Sequence, residues 1–287
     1  MLHAIYNDCN AYKYVGPKLK KDPRVLCASL DDPKDICDIV KFDYNYLLFV
    51  NPKYRDNETV VNTAINVNGL ALEYASSRLK NDYITVQNAV SNNGLALEYA
   101  SPNLQNDDAI VIKAVGQNGL ALEYASPRLK NTYDAVMSAV NQNGLALMFA
   151  SKRLQNKDAI VMCAVNNNGL ALHYASERLQ DEDIVVSSAI KNNFFAFEYV
   201  SPRIKKDKDI IYMIVSEIIT GRSALNPSSV ASIIKPIISN LDTEKLAKNN
   251  SPLEVIGIAL KTIRNELEKE ENITDEKHKV KVLDTNI

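Results

Sequence analysis

The sequence repeats itself every 25 residues, and this period constrains the fold more than any single residue does. A nine-residue motif that begins Asn-Gly-Leu-Ala-Leu returns at a constant spacing along the middle of the chain. Its five clean copies are residues 68–76, 93–101, 118–126, 143–151 and 168–176. A unit this short cannot bury its own apolar face and has to stack on its neighbours. The period therefore predicts an array of repeats.

Apolar residues within each unit follow the spacing of a helix. Val111, Ala114 and Val115 fall at positions i, i+3 and i+4, which share one face of an α-helix. The same triplet recurs in the neighbouring units. The alanine predicts a place where a neighbouring helix passes closely, because a larger side chain would hold the two axes apart.

Residues that start and end helices flank this pattern. Asp107-Asp108 is expected to cap the start of the helix, and Asn118-Gly119 to end it, with the glycine in the left-handed conformation. Leu120 to Ala125 is then expected to form a short second helix, and Ser126-Pro127 to open one further turn. The sequence thus predicts an all-α fold, an α-solenoid of about eight short helical hairpins with a C-terminal helical segment.

The array is expected to extend beyond its clean copies. A divergent first repeat carries an insertion of about ten residues near Asp31-Asp32. At the other end Phe194, Phe195 and Phe197 replace motif residues, and we expect them to pack against the C-terminal segment. The predicted organisation is a divergent N-terminal repeat or cap at 1–42, regular repeats at 43–215, a C-terminal helical cap at 216–267 and a charged tail at 268–287.

Composition excludes several classes of function. The formal net charge is −2, so no global field draws the chain to nucleic acid or to anionic lipid. The four cysteines form no C-x-x-C pair, which favours reduced thiols. No signal peptide is recognisable at the N-terminus, and no apolar run reaches the roughly 18 residues of a membrane span. We therefore expect a cytoplasmic protein.

The motif from Asn118 to Ser126, with Leu129 and the preceding Ala114-Val115, resembles a family of short helical repeats of unassigned function. That family occurs in bacteria, including intracellular pathogens, and in giant viruses and protists. The resemblance covers roughly residues 36–215. It implies a helical repeat protein of no known activity and supplies no catalytic residues. The expected cytoplasm is that of the producing cell or, for an effector or viral protein, that of the host.

Positions that vary between repeats are the first candidates for a binding site. Ile112, Met137 and Met162 occupy equivalent places on successive helices, and Met148 replaces the usual glutamate of the motif. Together they are expected to form an adaptable apolar patch for another protein. The competing interpretation is ordinary packing between repeats.

A second candidate is a series of arginines at one repeat position, interrupted by Asn103. Its members are Arg78, Arg128, Arg153, Arg178 and Arg203. Such a row is suited to phosphates or to a nucleic-acid backbone. A competing interpretation pairs the arginines with the glutamates five residues earlier, at Glu73, Glu98, Glu123 and Glu198. The tyrosines of the motif share core spacing with its first leucine, so they do not favour nucleic acid.

Catalysis has little support in the sequence. The asparagine that opens each motif is expected to end a helix or to form a structural ladder. Cys163 and His173 belong to the same unit, but a substituted surface histidine explains His173 without chemistry. We expect no catalytic residues, metal site or cofactor. The sequence predicts a non-enzymatic protein-binding scaffold, with a viral or pathogen protein acting on host partners as one form of it; the alternative is a nucleic-acid-binding array.

Overall fold

The computed structural model describes residues 2–207 and residue 210, which fall into two compact units. The N-terminal unit is Met1–Ala175 and the C-terminal unit is Ser176–Ile287. All regular secondary structure in the described residues is helical, which confirms the predicted all-α class. The predicted C-terminal cap at 216–267 and tail at 268–287 lie outside the described residues.

Two kinds of helix alternate along the chain. The α-helices are α1 (Leu2–Asn7), α2 (Pro23–Ser29), α3 (Pro33–Val40), α4 (Glu58–Val67), α5 (Ser77–Lys80), α6 (Tyr83–Asn92), α7 (Asp108–Gln117), α8 (Pro127–Lys130), α9 (Tyr133–Gln142), α10 (Lys152–Gln155), α11 (Asp158–Asn167), α12 (Glu177–Gln180) and α13 (Asp183–Asn192). The 3₁₀ helices are η1 (Cys9–Tyr14), η2 (Leu19–Lys21), η3 (Tyr44–Leu48), η4 (Pro52–Asp56), η5 (Gly69–Tyr74), η6 (Gly94–Tyr99), η7 (Leu104–Asn106), η8 (Gly119–Tyr124), η9 (Gly144–Phe149), η10 (Gly169–Tyr174), η11 (Phe194–Tyr199) and η12 (Ile204–Lys206).

Each repeat consists of an α-helix, a 3₁₀ helix and a short final turn. In the repeat of α7 these are α7, η8 and α8. The second element is a 3₁₀ helix because its backbone bonds span three residues: Ala121 N–H donates to the Asn118 carbonyl at 2.9 Å, and Ala125 N–H to the Leu122 carbonyl at 3.2 Å. The expected pair of helices is present, and its second member is tighter than an α-helix.

The predicted helix starts are confirmed. The Asp107 carboxylate accepts a hydrogen bond from Ile110 N–H at 3.0 Å, which caps α7. The Ser126 hydroxyl oxygen accepts one from Leu129 N–H at 3.4 Å, and Pro127 follows it at the first position of α8. These caps satisfy N–H groups that have no partner within their own helix.

Repeats in the N-terminal unit stack in chain order as two layers. Helices α3, α4, α6, α7, α9 and α11 contact one another successively and form the α layer, and η3, η5, η6, η8, η9 and η10 do the same and form the 3₁₀ layer. The core lies between the layers, where Val111, Ala114, Val115, Ala121 and Leu122 are fully buried. The exposed side chains of the two layers therefore face opposite sides of the stack.

The divergent N-terminal segment is a complete repeat followed by an inserted helix. Asp8 and Asp43 cap η1 and η3 and are 35 residues apart instead of 25. Helix α2 and the three residues that link it to α3 account for the ten extra residues, and they include the Asp31-Asp32 position at which the sequence predicted an insertion. Its Val25 and Ala28 pack with Ile5 and Val15 in a small core of their own.

The described part of the C-terminal unit contains α12, α13, η11 and η12. Helix α13 buries the apolar face expected from the repeat, including Val186 and Ala189. In η11, Phe194 and Phe197 are buried, and Phe195 is 43% exposed. The segment that we expected these phenylalanines to pack against lies outside the described residues.

Candidate functional site

Side-chain amides connect each repeat of the N-terminal unit to the one before it. The last residue of the α-helix accepts a hydrogen bond from the glycine N–H that starts the preceding 3₁₀ helix. These bridging amides are Asn92 to Gly69 (2.8 Å), Gln117 to Gly94 (2.8 Å), Gln142 to Gly119 (2.5 Å) and Asn167 to Gly144 (2.7 Å). The sequence analysis missed them. Their signal was available in the sequence, because this position is either asparagine or glutamine in all four of these repeats.

The same glycines have no room for a side chain. A Cβ atom on Gly119 would come within 3.0 Å of the carbonyl oxygen of Ala139 in the next repeat, and Gly94 meets Ala114 in the same way. The glycine does not adopt the left-handed conformation, so that prediction is wrong. The helix instead ends at Gln117, because the next residue, Asn118, has an extended backbone with φ −146° and ψ 110°. The sequence predicted that the alanine of each apolar triplet lies where a neighbouring helix passes closely. The neighbour at Ala139 is the start of a 3₁₀ helix, at Gly119 of the preceding repeat.

The motif serine provides a second connection between repeats. Ser126 N–H donates to the Gln105 carbonyl at 2.9 Å, and its hydroxyl donates to the Asn106 side-chain oxygen at 2.6 Å. Ser151 makes the equivalent bonds to Lys130 and Asn131. One serine therefore caps its own turn and binds the preceding repeat.

The arginine series of the N-terminal unit is engaged in the same interfaces. Arg128 Nε donates to the Asn106 side chain at 2.9 Å, its Nη2 to the Asn106 carbonyl at 2.6 Å, and Nη2 also pairs with Asp108 at 2.7 Å. Arg153 makes the first two contacts with Asn131, at 2.9 and 2.6 Å. Arg78 contacts Asp56 and Glu58.

Two members of the series lie in the C-terminal unit. Arg203 pairs with Asp181 at 3.0 Å and with Asp183 at 2.7 Å. Arg178 lies on α12 and is exposed. The guanidinium groups of Arg78, Arg128 and Arg203 thus bind carboxylates 20 or 22 residues earlier, so the expected pairing with glutamates five residues earlier is wrong as to partner.

Electrostatics at these contacts follow the pairing. The Arg128 guanidinium, through its hydrogen bond, lowers the pKa of the Asp108 carboxyl. The pKa of the Asp56 carboxyl is lowered first by the Ser76 hydroxyl and then by Arg78. The charges of these arginines are therefore partly neutralised where they stand. About half of each side chain still faces solvent, at 54% for Arg78 and 50% for Arg128.

Glutamates and tyrosines line the exposed side of the 3₁₀ layer. Glu98 and Glu123 are exposed. The tyrosines are half-buried, so the expectation that they belong to the core is wrong. Burial raises the pKa of the Tyr124 hydroxyl, and the charges of Glu98 and Glu123 raise it further. Burial and Glu73 do the same for the pKa of Tyr99. The tyrosines therefore lie beside the glutamates of their own and of the preceding repeat.

The predicted apolar patch does not form one continuous surface. Ile112, Met137 and Met162 lie on α7, α9 and α11, in the α layer. Ile112 is 42% exposed, and the two methionines are half-buried. Met148, also 42% exposed, lies on η9 in the 3₁₀ layer, which faces the other side of the stack. The sequence spacing placed equivalent residues correctly but did not distinguish the two layers.

The Cys163 thiol is not activated as a nucleophile. It donates a hydrogen bond to the Asn141 side chain of the preceding repeat at 2.7 Å. Burial raises the pKa of the thiol, which disfavours the reactive thiolate. His173 is exposed and contacts the ring of Tyr174 edge-on, with 4.8 Å between ring centres.

The cysteines and acidic residues were also candidates for disulfides and for metal binding. All four cysteines are free thiols, as expected. Across residues 2–207 and 210, no group of three or more histidine, cysteine or acidic side chains is arranged to hold a metal ion. No helix in this part of the chain is long and apolar enough to cross a membrane.

Comparison with known proteins identifies the repeats. A family model described as a domain of unknown function, DUF4116, matches residues 32–80, 85–130, 132–180 and 181–226. The chain belongs to this family. The first DUF4116 match begins at the Asp32 cap of α3 and ends with α5, so it spans two structural repeats. No curated protein and no solved structure matches the chain.

Proposed function

We propose that this chain is a non-enzymatic scaffold or adaptor that binds another protein along its stacked repeats. The supporting observation is a division between constant and variable positions in the N-terminal unit. Constant residues build the stack: Gly119 packs closely against the next repeat, Ser126 binds the preceding one, and the asparagine caps start the 3₁₀ helices. Variable residues, among them Ile112 and Met148, are exposed on the two faces. A rigid stack with changeable surface residues offers a preformed binding surface, which avoids ordering costs on association.

The apolar anchors of such a surface divide between the layers. On the α layer we place the anchor at Ile112, flanked by the half-buried Met137 and Met162. On the 3₁₀ layer, Met148 and Phe149 replace the glutamate and tyrosine that the three preceding repeats carry at 73–74, 98–99 and 123–124, so the negative charge is absent there. A few apolar anchors carry most of the affinity in protein interfaces, and methionine adapts to different partners.

Two further parts of the proposal concern chemistry and setting. The hydrogen-bonded Cys163 thiol, with its raised pKa, supports a function without nucleophilic catalysis. The 25-residue motif resembles repeats of bacteria, giant viruses and protists, which supports a viral or pathogen protein in the cytoplasm of its producer or host. A host-cell partner is consistent with that setting.

The alternative is a nucleic-acid-binding array that uses Arg78, Arg128, Arg153, Arg178 and Arg203. The recurrence of arginine at one repeat position and the exposed half of Arg78 and Arg128 favour it. Against it, Arg128 donates from Nε and Nη2 to Asn106 and forms an ion pair with Asp108. A phosphate would have to compete with these contacts for the guanidinium group. We therefore place protein binding first.

The test compares one substitution at two positions of the α layer. Ile112→Glu adds a charge at the proposed anchor, and Ile84→Glu adds the same charge at an isoleucine of α6 that is 58% exposed and lies outside the anchor set. Tagged wild type and both variants are incubated with host-type lysate at low and high salt. Bound protein and bound nucleic acid are identified separately.

Protein binding predicts a partner that survives high salt, is lost with Ile112→Glu and is retained with Ile84→Glu. A partner retained by both variants would overturn the Ile112 anchor. Recovery of nucleic acid that disappears at high salt would favour the alternative, since phosphate contacts are strongly salt-dependent. Helicity and melting temperature of the three proteins show whether each remains folded.

A further inference from the structure

The N-terminal unit contains five Asn-Gly pairs, a sequence that is chemically labile in flexible peptides. The glycine nitrogen attacks the asparagine side-chain carbon Cγ, so that an N–Cγ bond forms and the Cγ–Nδ2 bond breaks; the side-chain NH₂ takes the proton of the glycine N–H and leaves as ammonia. Water then opens the resulting succinimide ring to aspartate or isoaspartate. Glycine favours the attack because it has no Cβ to hinder approach. Four of these pairs have the bridging amides described above and are 68–69, 93–94, 118–119 and 143–144; the fifth is 168–169.

In these four pairs the stacked repeats hold both reacting groups in other bonds. Gly119 N–H donates to the bridging amide of Gln142 at 2.5 Å, so the nitrogen that would attack is directed at the next repeat. The side-chain oxygen of Asn118 accepts from Leu120 N–H at 3.1 Å. Ring closure requires the Asn118 side chain to leave this cap and the glycine nitrogen to leave the amide.

Bridging amides are found in the repeats that follow an Asn-Gly pair. Phe42 and Val67 occupy the bridging position in the two earlier repeats, and both are exposed apolar residues. The repeats before them open their 3₁₀ helices with Asp8-Cys9 and Asp43-Tyr44, which are not Asn-Gly. From Asn92 onward the amide and the Asn-Gly pair appear together.

We propose that Asn68, Asn93, Asn118 and Asn143 are latent deamidation sites that the bridging amide of the next repeat keeps closed. Isoaspartate then forms where two neighbouring repeats separate. It adds a methylene to the backbone and a negative charge beside the glycine, at a position with no spare room, so it prevents the two repeats from stacking again. Local opening of the stack would thus lead to isoaspartate, a lasting chemical change.

The experiment uses the full chain and measures each site separately. Wild type, Gln142→Leu and Gln142→Asn are incubated at mildly alkaline pH, and wild type is also incubated in denaturant. Peptide mass spectrometry then quantifies aspartate and isoaspartate at the four asparagines over time. Gln142→Asn is the matched control, because asparagine fills the bridging position at 92 and 167. Gln142→Glu is held as a second variant, since its carboxylate can still accept from Gly119 N–H.

In folded wild type we expect all four sites to react about tenfold or more slowly than in denaturant, because reaction requires local opening. Gln142→Leu is expected to accelerate Asn118 at least severalfold over the other three sites, and Gln142→Asn to leave it slow. Equal rates in folded and denatured wild type would overturn the proposal, as would a folded Gln142→Leu with Asn118 still slow. If Gln142→Leu accelerates all four sites, Gln142→Glu decides: a slow Asn118 supports the bridge, and a fast one contradicts it.

Discussion

The carbonyl oxygen of Ala139 lies so close to Gly119 that a Cβ atom on residue 119 would approach within 3.0 Å of it. A backbone carbonyl inside a stacked helix cannot move aside as a side chain can. Gly119→Ala is therefore expected to lower the free energy of unfolding by about 1–3 kcal/mol, the range for overpacking in a tight interior. Urea denaturation followed by circular dichroism measures the change.

The same repeat supplies a control glycine. Gly116 lies on the exposed side of α7, where the nearest atom to an added Cβ is the Ser138 hydroxyl at 3.9 Å. Gly116→Ala is expected to raise the free energy of unfolding by about 0.5–1 kcal/mol, because alanine is the better helix former. If both substitutions destabilise to the same degree, close packing is not the reason for Gly119.

These two glycines show where sequence reasoning reached its limit. The sequence predicted the repeat, its helix faces and the caps at Asp107 and Ser126, all of which depend on neighbours within a few residues. It predicted a conformational reason for Gly119, and the actual reason lies in Ala139, which belongs to the next repeat. Contacts 20 to 25 residues apart depend on how repeats stack, and the period alone does not specify that.

Asparagine caps give a second prediction. The Asn118 side-chain oxygen accepts from Leu120 N–H at 3.1 Å and starts η8. Asn118→Ala removes this bond and is expected to lower the free energy of unfolding by about 1 kcal/mol. Asn118→Asp is the control, because Asp8 and Asp43 cap η1 and η3 with the same geometry. Chemical denaturation of both variants tests this, and equal losses would mean that the cap does not act through its oxygen.

The interruption of the arginine series at Asn103 gives a third prediction. Asn81 and Tyr83 lie 22 and 20 residues before it, matching Asn131 and Tyr133 before Arg153. Asn103→Arg is therefore expected to reproduce the Arg153 contact with Asn131 and to stabilise by about 0.5 kcal/mol, as exposed pairings do. A double-mutant cycle with Asn81→Ala measures the coupling. No coupling would show that Asn103→Arg does not bind the preceding repeat.

The sequence did not predict the partners of the arginines either, because these partners also lie in the neighbouring repeat. Glu123 precedes Arg128 by five residues, and linear proximity favoured their pairing. The stack instead brings Asp108, 20 residues earlier, to 2.7 Å from Arg128. The variable apolar positions show the same limit, since the spacing aligned Ile112 with Met137 and did not reveal that Met148 belongs to the other layer.

The Arg128–Asp108 pair also predicts how stability responds to acid. In the folded chain the hydrogen bond that Arg128 donates to Asp108 lowers the pKa of the Asp108 carboxyl below its ordinary value of 3.8. The unfolded state therefore binds the proton more readily, so the pair stabilises the fold fully above that pH and progressively less as the pH falls toward the folded pKa. Arg128→Gln removes this contribution. We expect its free energy of unfolding to be lower than that of wild type at neutral pH and the difference to shrink below pH 3.8.

Urea denaturation of both proteins across acid and neutral pH measures that difference. Added salt at neutral pH is expected to reduce it as well, because the pair is exposed and screening weakens it. Asp108→Asn in the Arg128→Gln background is expected to change little, since the carboxylate has already lost its partner. A difference that stays constant from neutral to acid pH would show that Arg128 stabilises the stack through Asn106 alone, by bonds that do not titrate.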